Sequence, residues 1–201
     1  MGLLVLVRHG ESTFNRDNKF TGHIDAPLTG KGREEARAVA AKLKGIRFDK
    51  AYCSSLCRSA DSLSIILTVL GQEIIPIIQA AALDERRYGD LEGLNKAETE
   101  RKFGRQKVRL WRRSYEVAPP GGESLKDTAL RAVAYLKSNI LPEIERSRNI
   151  LLVAHGNSLR SIVMEIDRLT PDEVVKLEIT TGQAYIYELD SNLNVLRKLK
   201  V

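Results

Sequence analysis

Two short runs of aliphatic residues constrain the fold most strongly, because each of them runs into a His-Gly pair. LLVLV at positions 3–7 precedes Arg8 and His9, and the aliphatic part of NILLVAHG at positions 149–156 precedes His155. An uninterrupted apolar run of this length is typical of a parallel strand that is buried on both faces of a sheet. Ligands of such sheets bind outside the carboxyl ends of the strands. We therefore expect the two histidines to meet at one rim of the sheet.

The rest of the chain alternates between strand and helix patterns. A second strand is predicted within 48–55, and a third within 73–78, where Pro76 favours an edge position. The tail alternates like a hairpin. Helices are predicted after Thr29, from Cys57 to Leu70, over 95–118 in two pieces, from Ser124 to about Arg146, from Asn157 to about Asp167, and after Thr170. The pattern predicts an α/β fold of three layers, a mostly parallel sheet with helices on both faces, in a single domain over 1–201.

The composition favours one apolar core and gives no sign of a membrane partner. Hydrophobic residues make up 43% of the 201 residues, which suits a single domain. No apolar run approaches the roughly 18 residues that a membrane-spanning helix needs, and the first residues lack a signal-peptide pattern. Cys53 and Cys57 have no second ligand cluster, so we expect no metal site and reduced thiols in the cytoplasm.

Positive charge is concentrated in one segment. RKFGRQKVRLWRR at 101–113 holds seven Lys or Arg residues and no Asp or Glu, whereas the net charge of the whole chain is +6. Such a patch fits a small anionic substrate, a phosphate or a nucleic acid. Only Phe103 and Trp111 are aromatic there, and no recognised nucleic-acid-binding module surrounds them. We therefore expect no nucleic-acid partner.

The two strand-end histidines point to phosphoryl chemistry. A histidine pair without cysteines or a carboxylate cluster is a weak indication of zinc, whereas a neutral imidazole nitrogen can attack phosphorus and hold the group covalently. The phosphoryl oxygens then need cations. Arg8 beside His9 and Arg58 after the second strand are suitable, because a guanidinium binds phosphate in a bidentate way.

Proton transfer needs a carboxylate, and the irregular loop that begins near residue 80 offers several. Asp84, Glu85, Asp90 and Glu92 are the candidates. A carboxyl group near two phosphates has a raised pKa, which suits a general acid and base. The residue pattern does not choose among the four.

Several motifs resemble one known family. LVRHGES at 6–12 resembles the phosphohistidine signature of the histidine phosphatase superfamily. The similarity to cofactor-dependent phosphoglycerate mutases runs nearly end to end, through LVRHGESTFNRDNKFTGHIDAPLTGKG (6–32), SSLCRS (54–59), LDERRYGDLEGLNKAET (83–99), VRLWRRSYEVAPP (108–120) and AHGNSLR (154–160). RHG alone marks only the superfamily, whereas the combination of ERRYG, GLNKAET and WRR is much more specific and points to the mutase branch.

The resemblance implies a role for each matching residue. His9 would be the nucleophile, with Glu85 as proton donor and acceptor. The phosphate pocket would be formed by Arg8, Arg58 and His155. The walls around the phosphate and the substrate would be formed by Ser12, Asn15, Thr21 and Gly22. The carboxylate and second phosphate would be held by Tyr88, Lys96, Arg112 and Arg113, with Asn157 closing the pocket. His23 stands where an aromatic residue is expected, and we predict a structural role for it.

The resemblance also implies a reaction. It interconverts 3-phosphoglycerate and 2-phosphoglycerate in glycolysis and gluconeogenesis, through a phosphohistidine that 2,3-bisphosphoglycerate primes, without a metal. It further implies a cytoplasmic homo-oligomer, a dimer or a tetramer. The alternative is a phosphatase of the same fold that hydrolyses small phosphate esters. The second set of anion-binding residues favours the mutase, because a mutase must hold its substrate while it reorients.

Overall fold

The computed structural model describes all 201 residues and contains six strands and nine α-helices. The strands are β1 Gly2–Arg8, β2 Lys50–Cys53, β3 Ile77–Gln79, β4 Ile150–Ala154, β5 Ala184–Leu189 and β6 Val195–Lys200. The helices are α1 Thr13–Arg16, α2 Gly30–Lys42, α3 Cys57–Leu70, α4 Lys96–Phe103, α5 Arg105–Arg113, α6 Leu125–Tyr135, α7 Leu141–Glu145, α8 Gly156–Asp167 and α9 Pro171–Val174.

All six strands form one sheet in the order β3-β2-β4-β1-β5-β6. The four strands from β3 to β1 are parallel, whereas β5 and β6 form an antiparallel hairpin beside β1. The predicted mostly parallel sheet and the hairpin at the tail are confirmed. Pro76 precedes β3, which lies at the sheet edge where a missing N–H is tolerated.

Helices cover both faces of the sheet, as the sequence predicted. Successive side chains of a strand point to opposite faces. Leu4 and Leu6 of β1 therefore pack in one cluster with residues of α6, α7 and α8, while Val5 and Val7 pack in another with residues of α2 and α3. Since both clusters use the same sheet, the arrangement supports our proposal of a single domain over 1–201.

The helix ends follow local chemistry. Thr29 caps α2 by accepting a hydrogen bond from the Gly32 N–H, and Gly71 ends α3 in the left-handed conformation. Two predicted helices differ in detail. The second piece of 95–118 ends at Arg113, and the helix after Ser124 contains a π-helical stretch, Leu136–Ile140, between α6 and α7. In that wider turn the Asn139 carbonyl accepts a hydrogen bond from the Tyr52 hydroxyl.

A small third cluster attaches helix α5, in the basic segment, to the rest of the fold. Phe20, Leu91, Val108 and Trp111 pack together, so the apolar face of α5 is fixed against the loop after β3. The carboxyl end of α5 thereby lies at the sheet rim. None of the helices has the length and apolar composition that a bilayer crossing requires.

Candidate active site

The two strand-end histidines are neighbours. β1 and β4 are parallel and paired so that Arg8 lies opposite Ala154, and His9 and His155 follow them directly. The ring centroids of His9 and His155 are 4.9 Å apart, and both side chains are buried. The shared rim expected from the sequence therefore holds both rings.

The hydrogen bond at His9 determines which ring nitrogen is free. Nδ1 lies 2.6 Å from the Gly10 carbonyl oxygen, which can only accept, so Nδ1 carries the proton. Nε2 then keeps its lone pair and has no hydrogen-bond partner in the protein. Burial lowers the pKa of His9 well below its usual value, and the charges of Arg58 and Arg8 lower it further. At neutral pH the ring is a neutral nucleophile.

His155 is neutral for the same reasons. Burial and the charge of Arg58 hold its pKa well below the usual value. Nε2 lies 2.6 Å from the Ser54 hydroxyl oxygen, which also accepts from the Leu56 N–H. In the tautomer that carries the ring proton on Nδ1, Nε2 accepts a hydrogen bond from the Ser54 hydroxyl. That buried Nδ1 has no partner in the protein and is available to donate.

Two arginines, the half-buried Arg8 and the buried Arg58, bring positive charge to the histidine pair, and neither forms a hydrogen bond to a carboxylate. Arg8 Nη1 donates to the Ile179 carbonyl over 2.5 Å. Arg58 donates to the Gly22 and Ile24 carbonyls, each over 2.9 Å. The Nε atoms of both arginines are buried and unpartnered, and burial lowers the pKa of both guanidinium groups. The site is therefore preorganised to receive an anion.

The geometry distinguishes among the four candidate carboxylates. Glu85 Oε1 accepts from the N–H groups of Arg86 and Asn157, whereas Oε2 has no hydrogen-bond partner. The other three have different surroundings. Asp84 accepts from the Ser55 N–H and hydroxyl, Glu92 accepts from the N–H groups of Tyr88 and His23, and Asp90 is exposed. Only Glu85 among them lines the cavity at this rim.

That cavity has a volume of about 220 Å³ and opens beside the histidine pair. Most of the predicted site residues line it: Arg8, Asn15, Thr21, Gly22, Glu85, Tyr88, Lys96, Arg112, Arg113 and Asn157. The predicted residues His9, His155, Arg58 and Ser12 are buried outside its lining. Ser12 caps α1 and donates to Asn15 Oδ1, so its contact is with Asn15.

Comparison with known proteins identifies the family. The histidine phosphatase superfamily (branch 1) matches residues 4–201. A protein of Parvibaculum lavamentivorans named 2,3-bisphosphoglycerate-dependent phosphoglycerate mutase is 51% identical, over 98% of this chain and 94% of its own length. A Gloeobacter violaceus protein named 2,3-bisphosphoglycerate-dependent phosphoglycerate mutase 2 is 53% identical, over 89% of this chain and 82% of its own length.

The chain belongs to the histidine phosphatase superfamily, and within it to the phosphoglycerate mutase family. Solved structures of the superfamily share its fold. Bacillus stearothermophilus YhfR superposes with a TM-score of 0.85 at 25% identity, over 97% of this chain and 94% of that chain. The alpha-ribazole phosphatase of Shigella flexneri superposes with a TM-score of 0.84 at 23% identity, over 98% and 95%. The similarity to the second structure concerns the fold alone.

The cavity of this superfamily member also contains residues that the sequence did not identify. The charged ones are Lys19, Arg160 and Glu178. Arg160 lies one helical turn after Asn157, so helical periodicity was a usable signal for it. Glu178 belongs to the segment between α9 and β5 and carries no local signal. It forms an ion pair with Arg113 at 2.5 Å.

His23 makes a contact that fits a structural role. Its ring Nε2 lies 2.8 Å from the main-chain carbonyl oxygen of Glu85, and its backbone N–H donates to the Glu92 carboxylate. Arg131 Nη2 donates to the same Glu85 carbonyl over 2.9 Å. The backbone that carries Glu85 is therefore held from two sides. No group of three or more His, Cys, Asp or Glu side chains is arranged to hold a metal ion.

Proposed function

We propose that this chain interconverts 3-phosphoglycerate and 2-phosphoglycerate through a phosphohistidine at His9, which 2,3-bisphosphoglycerate primes. The observation that carries the proposal is the identity of about half of all residues to mutases over nearly the full chain. The site is consistent with it. A neutral imidazole and a partly free carboxylate lie beside a cavity lined by many cations.

His9 Nε2 is the attacking atom. Its lone pair forms the bond to phosphorus while the bond from phosphorus to the glycerate oxygen breaks. Glu85 Oε2 is protonated in this priming step and gives its proton to the departing oxygen. In the return step the Glu85 carboxylate takes the proton of the substrate hydroxyl as that oxygen attacks the phosphohistidine. The proton count is therefore restored over one cycle.

Two arginines and a neutral donor stabilise the transferring group. The charges of Arg8 and Arg58 offset the negative charge that spreads over the phosphoryl oxygens, and the Nδ1–H of His155 donates a hydrogen bond to them. The Nδ1–H of His9 keeps its bond to the Gly10 carbonyl, so the ring does not turn when Nε2 becomes bonded to phosphorus. Ser12 acts through Asn15, whose side chain reaches the cavity.

A second group of cations holds the other end of the substrate. Lys96, Arg112 and Arg113 line the cavity together with Tyr88 and Asn157, and Thr21 and Gly22 complete the wall. Burial lowers the pKa of Lys96, and the neighbouring charges of Arg112 and Arg8 lower it further. These groups bind the carboxylate and second phosphate, which keeps the bisphosphorylated intermediate bound while it reorients.

The decisive experiment measures conversion of 3-phosphoglycerate to 2-phosphoglycerate in the presence of a metal chelator, with and without a trace of 2,3-bisphosphoglycerate. We expect fast conversion that depends on the trace and persists with the chelator. The matched control is His9→Ala, which removes the nucleophile and should abolish all activities. Release of free phosphate with little isomerisation would instead support a phosphatase.

We further propose that the protein is a homo-oligomer, a dimer or a tetramer, in the cytoplasm. Apolar side chains are exposed beside the sheet edge: Ile74 is 98% exposed and Ile77 47% exposed. An exposed apolar edge strand is usually covered by a partner. Sedimentation should show a dimer or tetramer, and Ile77→Lys should shift it towards the monomer. A monomer at micromolar concentration would contradict the proposal.

A further inference from the structure

Arg160 is a buried cation that the mechanism above does not use. It lies on α8 with only 7% of its surface exposed and lines the cavity. Nη2 donates to the Val175 carbonyl over 2.8 Å, Nη1 donates to Asn157 Oδ1 over 3.1 Å, and Nε is buried without a partner. Burial lowers its pKa to about 10, and the charges of Arg113 and Arg86 contribute. It bonds to neutral acceptors only.

The contact with Asn157 determines how that amide is oriented. A guanidinium has donors and no acceptor, so only the amide oxygen of Asn157 can face Arg160. The amide NH₂ therefore lies on the opposite side, where its nitrogen is 3.4 Å from the Tyr88 hydroxyl oxygen. Asn157 and Tyr88 both line the cavity. The arginine thus presents the donor end of the amide to the cavity.

Asn157 also contacts the carboxylate that exchanges the proton. Its backbone N–H donates to Glu85 Oε1 over 3.0 Å. The backbone and the side chain of Asn157 therefore act separately. The backbone N–H orients Glu85, and its position is set by the amino terminus of α8. The orientation of the side-chain amide is set by Arg160.

We propose that Arg160 is a positioning residue that holds the Asn157 amide with its NH₂ group towards the second anion of the substrate. The inference rests on the proposed function and names one residue that prepares the second anion site. Without Arg160, the two orientations of the amide become similar in energy, and the oxygen would face the anion in part of the molecules. Ligands with two anionic ends should lose affinity, whereas ligands with one should not.

The test compares Arg160→Met, which keeps an unbranched chain but removes every donor, with Arg160→Lys. We expect Arg160→Met to weaken 2,3-bisphosphoglycerate about tenfold, as the loss of one hydrogen bond to a charged group predicts. Binding of inorganic phosphate should change less than about twofold. The ammonium group of Arg160→Lys can still donate to Asn157, so the affinity of this variant for 2,3-bisphosphoglycerate should lie between those of the wild type and Arg160→Met. Isothermal titration measures both ligands, and Arg168→Met at the exposed end of α8 is the matched control.

A double-mutant cycle separates positioning from plain structural support. In an Asn157→Ala background, Arg160→Met should weaken the binding of 2,3-bisphosphoglycerate by less than about a further twofold, because the two residues act as one unit. Independent, additive losses would overturn the proposal. So would equal weakening of phosphate and 2,3-bisphosphoglycerate, since that indicates general damage to the site. The outcome is independent of turnover: a wild-type protein that binds bisphosphoglycerate but isomerises nothing contradicts the proposed function alone.

Discussion

The backbone N–H of Asn157 donates a hydrogen bond to Glu85 Oε1 over 3.0 Å, although the two residues lie 72 positions apart in the chain. The Arg86 N–H donates to the same oxygen over 2.8 Å. One carboxylate oxygen is thereby held by two main-chain donors, one of which belongs to the amino-terminal turn of α8. The other oxygen stays free of partners, which is the arrangement that a proton carrier in this cavity requires.

Glu85→Gln should abolish proton transfer and preserve the structure. The glutamine oxygen can still accept from both N–H groups, but the side chain cannot release or take a proton. We expect kcat for the mutase reaction to fall by a factor of about 10² to 10⁴. The melting temperature should stay close to that of the wild type, as circular dichroism can show. Asp90→Asn, in the same loop but exposed, is the control. A kcat within tenfold of the wild type would exclude Glu85 as the acid and base.

The stability of the ligand-free protein should fall below neutral pH. The pKa values of His9 and His155 lie well below the usual value because both rings are buried near Arg58. In the unfolded chain each histidine titrates near 6.5. Between that pH and the lower folded pKa values, the unfolded state takes up protons that the native state does not.

The free energy of unfolding should therefore decrease as the pH falls below about 6.5, by at most about 1.4 kcal/mol per pH unit for each histidine. Above about pH 6.5 the contribution is constant, because the rings are neutral in both states. Urea unfolding from about pH 5.5 to about pH 8 measures the slope. His155→Gln should remove part of it. A slope that survives removal of both His9 and His155 would show that other groups cause it.

Gly10→Ala should destabilise the protein through backbone contact. A Cβ atom at Gly10 would lie 2.0 Å from the Gly32 carbonyl oxygen, so α2 would have to move away from the loop that carries His9. Overpacking of this kind costs about 1–3 kcal/mol of unfolding free energy. Gly30→Ala is the matched control, because nothing lies within 4 Å of a Cβ there. It should leave stability equal or slightly higher. Equal stability of the two variants in urea unfolding would refute the close contact.

Arg113→Ala should harm the mutase reaction more than the hydrolysis of a simple phosphate ester. The side chain lies at the end of α5 and lines the cavity, among the cations that we propose bind the second anion. An ester such as p-nitrophenyl phosphate has no second anionic group with which Arg113 could interact. We expect kcat/KM for 3-phosphoglycerate to fall at least about tenfold, the loss of one charge-assisted hydrogen bond. Equal losses with both substrates in parallel assays would count against the second-anion role.

Glu178→Gln should improve substrate binding. In the ligand-free protein the Glu178 carboxylate pairs with Arg113, with side chains 68% and 38% exposed. The substrate must compete with this internal anion. Because an exposed ion pair contributes only up to about 1 kcal/mol, KM for 3-phosphoglycerate should fall at most about fivefold, with kcat unchanged. Glu116→Gln, whose partner Lys126 lies outside the cavity, is the control for lost negative charge. A KM that stays the same or rises would show that Glu178 does not compete.

Local signals were enough for most of the secondary structure. The ends of α2 and α3 depend on Thr29 and Gly71, each of which acts on backbone groups within a few residues. The π-helical stretch before α7 was not predictable, because the Tyr52 hydroxyl that bonds to Asn139 comes from a distant strand. The end of α5 was not predictable for the same reason. The packing of Trp111 against distant residues decides which part of the basic segment lies at the sheet rim.

The sequence by itself determined the parallel sheet and the meeting of His9 with His155, because buried parallel strands bring their carboxyl ends to one rim. The residue pattern left four carboxylates open and the family resemblance pointed to Glu85, but only the tertiary structure shows how their surroundings differ. Asp84 is hydrogen-bonded by Ser55, whereas Glu85 is oriented by the Asn157 N–H. The same holds for Glu178, which reaches the cavity through an ion pair. Hydrogen bonds between residues far apart in the chain leave no trace in the local pattern, and they set which polar side chains are free to react.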